Sequence, residues 1–86
     1  MEKEDAEKVN TALLQVERQL KDLYEFVAVK DPENLEIFKH RFAKVLGYHI
    51  MTLELPFWDQ FPELKPENLD GPFKIDKTIY NKSPFK

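Results

Sequence analysis

Lys30-Asp31-Pro32-Glu33-Asn34 places a helix stop and a helix start side by side, and the fold follows from it. Aspartate is among the best residues just ahead of a helix, because its side-chain oxygen can accept from the first free N–H groups. Pro32 then falls at the first helical position, where a missing N–H is no loss. One helix must end and another begin almost at once. A connection that short turns the second helix antiparallel to the first, which is an αα-hairpin.

Toward the N-terminus, a helix is predicted from Asp5 to Val29. Ala6, Val9, Leu13, Val16, Leu20, Leu23 and Val27 follow one another at alternating steps of three and four, an unbroken heptad seam. Glu7, Lys8, Gln15, Glu17, Arg18, Lys21 and Asp22 lie between the seam positions and read as a solvated face. Glu2, Glu4 and Asp5 crowd the start, where the helix dipole favours negative charge.

Toward the C-terminus, a second helix is predicted from Pro32 to Glu54. Pro56 is expected to stop it and to push Leu55 out of helical geometry. Leu35, Phe38, Phe42, Val45, His49 and Leu53 form one stripe, and Leu46, Tyr48, Ile50 and Met51 add a second apolar face. A helix apolar on two sides needs two surfaces to bury against. The first helix supplies one, with Leu13, Leu20, Phe38 and Phe42 as expected core. The other must be the tail or a second copy of the chain.

From residue 56 the texture changes. Pro56, Pro62, Pro66, Pro72 and Pro84 alternate with Phe57, Trp58, Phe61, Phe73, Tyr80 and Phe85. Proline at this density excludes a long helix and a central strand, yet so many rings do not suit a disordered tail. Residues 56–86 therefore read as an extended, ordered arm, with strand-like character only in Lys74–Tyr80. Its two halves differ in charge. Asp59, Glu63, Glu67 and Asp70 against Lys65 leave residues 56–70 at −3, and Lys74, Lys77, Lys82 and Lys86 against Asp76 leave 71–86 at +3. Pro32-Glu33-Asn34-Leu35 recurs as Pro66-Glu67-Asn68-Leu69, an echo too short and isolated to define a repeat.

The bulk composition narrows the function. Eighty-six residues make one small domain with a thin core. There is no cysteine, hence no disulfide and no thiolate chemistry. A net charge of −3 argues against nucleic acid, which is bound by clustered Lys and Arg. Lys39, His40, Arg41 and Lys44 diverge around their helix and read as solvated. No run approaches the length of a membrane span, and Met1–Asp5 lacks the apolar core of a secretion signal, so the expected location is the cytoplasm.

Catalytic patterns are missing. Gly47 and Gly71 are the only glycines, too few for a phosphate-cradling loop, and Ser83 is the only serine, with no histidine near it in sequence. Glu36 and His40 share a helix face at i and i+4, but no third ligand is spaced to join them, and His49 falls on the apolar stripe. No metal or cofactor is expected. The expectation is an all-α protein: a two-helix hairpin (residues 1–55) with an extended Pro/aromatic arm (56–86), paired into a four-helix-bundle homodimer. Its expected function is stoichiometric binding of a protein partner, without catalysis. The rings read mostly as a cap on the hairpin, and Trp58, Phe61, Phe73, Tyr80 and Phe85 are the candidate partner-binding residues. The alternative is a small enzyme or ligand-binding subunit whose pocket forms between protomers.

Overall fold

The computed structural model describes residues 1–86, and every regular element in it is helical. Helix α1 spans Lys3–Lys30 and sets the long axis of a molecule measuring 46 × 25 × 21 Å. It ends at Asp31, whose N–H donates to the Val27 carbonyl at 2.8 Å. Asp31 does not cap the next helix with its side chain; its carboxylate accepts from the Asn34 side-chain amide at 3.0 and 3.2 Å. Pro32–Asn34 form a 3₁₀ turn that leads into α2, Leu35–Tyr48. The helices are antiparallel neighbours, and Tyr24 of α1 meets Phe42 and Phe38 of α2 at ring-centre distances of 4.9 and 6.3 Å.

Pro56 does not stop the second helix. His49–Glu54 widen into a π-helical turn, Leu55 keeps helical angles (φ −60°, ψ −47°), and α3 follows at Leu55–Gln60. The reason lies in the hydrogen-bond register. A proline inside an α-helix loses a bond and drives its ring into the carbonyl four residues back. Here the register shifts to five residues, the Leu55 N–H donating to the Ile50 carbonyl, and Pro56 falls in the opening turn of α3. The helical path thus runs through the expected boundary at residue 55 and ends at Phe61.

The remaining residues are not one continuous extended arm. They form 3₁₀ turns at Pro62–Leu64, Glu67–Leu69 and Lys77–Tyr80, so the strand expected over Lys74–Tyr80 is replaced by coil and a turn. Asp76 caps the last turn by accepting from the Thr78 N–H at 3.0 Å, which holds its carboxyl below the usual aspartate value. Between these turns lies a tight loop. The Gly71 N–H donates to the Pro66 carbonyl, and the Phe73 N–H donates to the Lys65 carbonyl at 3.0 Å. A Cβ on Gly71 would stand 2.0 Å from that Lys65 oxygen, so only glycine fits.

This tail lies along α1. The Gln15 side-chain amide donates to the carbonyls of Ile79 and Lys82, and the Arg18 guanidinium sits 5.0 Å from the centre of the Tyr80 ring. The core it helps close is small: Ala6, Leu14, Trp58 and Leu64 are its only fully buried hydrophobic side chains, flanked by half-buried Phe57, Phe61, Phe73, Ile75, Ile79 and Tyr80.

The buried line of α1 shares Ala6 with the heptad seam and then departs from it. It runs through Ala6, Asn10 and Leu14, and the half-buried Glu17, Tyr24 and Ala28 continue it. At about 100° per residue, this line stands roughly a quarter turn around the axis from the mean direction of the seam. Val16 and Leu23, both seam residues, are consequently exposed to nearly half their surface. Leu13, Leu20, Phe38 and Phe42, expected as core, are half-buried.

Candidate functional site

Two features stand out from the packing: a buried polar cluster where α1 meets the π turn, and an apolar face of the hairpin left open to solvent.

The polar cluster is created by the π turn. In an α-helix, residues five apart point about 140° away from each other. The i→i+5 register brings them back to one side. His49 and Glu54 therefore both face α1, with His49 Nε2 3.3 Å from Glu54 Oε2 and 2.9 Å from the Leu13 carbonyl oxygen. Both neighbours of Nε2 are acceptors, so this nitrogen carries the proton and donates. One helical turn on, Trp58 donates its indole N–H to Asn10 Oδ1 at 2.8 Å.

Glu54 is the unusual member. It is 1% exposed, and neither carboxylate oxygen has a partner of full hydrogen-bond geometry. The Glu17 carboxyl of α1 lies beside it, and Glu17 is itself paired with Lys21 at 3.5 Å. Burial pushes the Glu54 carboxyl up to about 8, the neighbouring Glu17 carboxylate adds to the rise, and Lys21 opposes it. Two carboxylates side by side are both acceptors, and only a proton on one of them supplies a donor.

The open face combines both helices. Phe26 and Val27 of α1 and Ile37, Phe38 and Arg41 of α2 line a groove of about 550 Å³ at the hairpin's closed end. Val16, Leu20, Leu23 and Phe26 continue it along α1. On α2, helical spacing carries it from Ile37 and Arg41 to Val45 and Tyr48. Phe26, Ile37, Val45 and Tyr48 are each more than half exposed. Single exposed apolar residues are ordinary on a surface, but a continuous strip along two helices is not.

The sequence-predicted ring residues lie elsewhere. Trp58 is buried against Asn10, and the Phe61 ring packs tilted against Phe57, ring centres 5.0 Å apart. Phe73 and Tyr80 are half-buried against the core, and only Phe85 is largely exposed. His40 and Glu36 are exposed, and no group of three or more His, Asp or Glu is placed to hold a metal ion. Asn10, Glu17 and Glu54 escaped the sequence reading. Glu17 was assigned to the solvated face, yet its side chain is only 19% exposed. The available signal is the spacing Ala6, Asn10, Leu14, Glu17, a second stripe with one small residue, Ala6, where a large ring must fit. No helix is long and apolar enough to cross a membrane.

The chain matches no known family model, no curated protein sequence and no solved structure.

Proposed function

We propose that the chain is a small, non-catalytic interaction protein of the cytoplasm that binds stoichiometrically through the open hairpin face, and that the face is first occupied by a second copy. The observation that carries this reading is the displaced seam. An alternating three-and-four apolar period is the pattern of helices packed against other helices, and one chain buries only one edge of it. Two hairpins laid face to face make a four-helix bundle in which Val16, Leu20, Leu23, Val45 and Tyr48 become interior. The small core of the single chain favours the same outcome, because domains of this size usually need added support. Bound partners would then act on the dimer, with the exposed Phe85 end of the tail as the accessible ring.

Sedimentation equilibrium across a micromolar dilution series tests it. A dimer of the 10.3 kDa chain is expected, and Leu23→Glu should give a monomer of unchanged helix content. One chain's mass at every concentration, in the unmutated protein, would overturn the reading.

A further inference from the structure

The polar cluster is not part of the proposed binding face, which lies roughly a quarter turn away around α1. We propose that Glu54 is held protonated where the π turn meets α1, and that losing this proton loosens α3 and the tail from α1. The geometry supports a latch at this point. Glu54 sits at the end of the π turn, one helical turn before Trp58, and Trp58 belongs to the core cluster that includes Leu64 of the tail. Glu54 is 1% exposed, its oxygens have no partner of full hydrogen-bond geometry, and Oε2 lies 3.3 Å from His49 Nε2, a position that holds a neutral carboxyl more readily than a charged one. Without the proton, a negative charge on Glu54 is closed to water and faces the Glu17 carboxylate. An ionised pair in such a site is relieved most cheaply by letting water in.

The charged and titratable groups around Glu54 are few. Glu17 and Lys21 face it from α1 and His49 from the π turn, while no charge from the tail acts on it. Lys21 is engaged by Glu17 and more than half exposed, so it offsets the repulsion only in part. The direction with pH follows from linkage. In the unfolded chain Glu54 titrates at its ordinary 4.5, and in the folded chain at about 8. The stabilising proton is fully present in both states below the lower value. Stability therefore falls as pH rises between the two values, and the fall is complete above the upper one.

The test uses the full chain. Carbon NMR of the Glu54 side-chain carboxyl should show a titration midpoint well above those of the exposed glutamates, near 8. An ordinary glutamate midpoint would overturn the proposal without a variant being made. Trp58 emission should shift to the red through the same pH range, and the melting temperature should fall from pH 5 to pH 8.5. Glu54→Gln keeps the shape and a donor toward Glu17 but cannot ionise. It should show neither change, and a pH dependence equal to that of the unmutated protein sinks the latch. Glu17→Gln should lower the Glu54 midpoint, and an unmoved midpoint would show that the Glu17 charge does not act on it. All of these are readable in a monomer, so they stand or fall separately from the proposed dimer.

Discussion

Trp58 donates its indole N–H to the side-chain oxygen of Asn10 at 2.8 Å, joining α3 to the first turns of α1 across 48 residues of chain. Asn10 is completely buried, and its amide nitrogen has no partner, so the residue is held for what its oxygen accepts. Tryptophan is large, and its ring is accommodated because Ala6, one turn from Asn10, is small. A buried indole N–H left without a partner costs its full desolvation penalty.

Asn10→Ala should therefore destabilise the protein by about 1–3 kcal/mol, measured by urea unfolding followed through Trp58 emission. The folded emission should be blue-shifted relative to the unfolded chain. A variant with the unmutated midpoint would show that the bond contributes nothing net.

Leu14 and Leu20 separate the two faces of α1. Leu14 is 3% exposed and Leu20 only half-buried, although Leu20 lies in the seam and Leu14 does not. Leu14→Ala should cost about 2–5 kcal/mol, the range for a filled core position. Leu20→Ala should cost less in dilute protein, and its cost should grow with concentration if the seam closes against a second copy. Equal, concentration-independent losses would place both residues in one intramolecular core.

That comparison shows what the sequence made legible. Asp31-Pro32 announces the hairpin because the fit of proline to a first helical turn is local, and the turn appears there although Asp31 does not cap it with its side chain. The heptad period announces α1 but not its rotation, because the period counts apolar residues and not what faces them. The rotation is set by Trp58, His49 and Glu54, which reach α1 only after the chain has turned back. The π turn was hidden for a related reason. Reading Pro56 as a stop assumes a four-residue register upstream, and a five-residue register removes the conflict. Glu17 and Lys21 were assigned to solvent by residue type alone, and for Glu17 tertiary placement overrode it.

The two glycines give a paired test. Gly47 lies inside α2 with nothing within 4 Å of an added Cβ, so Gly47→Ala should stabilise the protein by up to ~1 kcal/mol through helix propensity. Gly71→Ala meets backbone at Lys65, which cannot swing aside as a side chain would. It should cost about 1–3 kcal/mol, as forced overpacking does. Thermal melts of the two variants should move in opposite directions, and a shift of the same sign would mean the loop at 65–73 is not held as described.

The π turn and Pro56 should be energetically coupled. A five-residue step between His49 and Glu54 amounts to one residue more than an α-helix needs to return to the same face. Thr52 is exposed, and deleting it would restore a continuous α register in which Trp58 can still face Asn10. The restored register also places the proline in a helix interior, at a cost of about 3 kcal/mol. Deletion of Thr52 alone should therefore be strongly destabilising, and Pro56→Ala alone should be mild. The combination should recover most of the loss, because alanine accepts the α register that proline refuses. Deleting Lys39 is the contrasting control. It lies in α2, where no π turn holds a spare residue, so its removal rotates everything beyond it by about 100° and should not be rescued by Pro56→Ala. The measurements are far-ultraviolet circular dichroism for helix content and Trp58 emission for the Asn10 contact. Additive losses in the Thr52 and Pro56 pair would show that the π turn answers to something other than the proline.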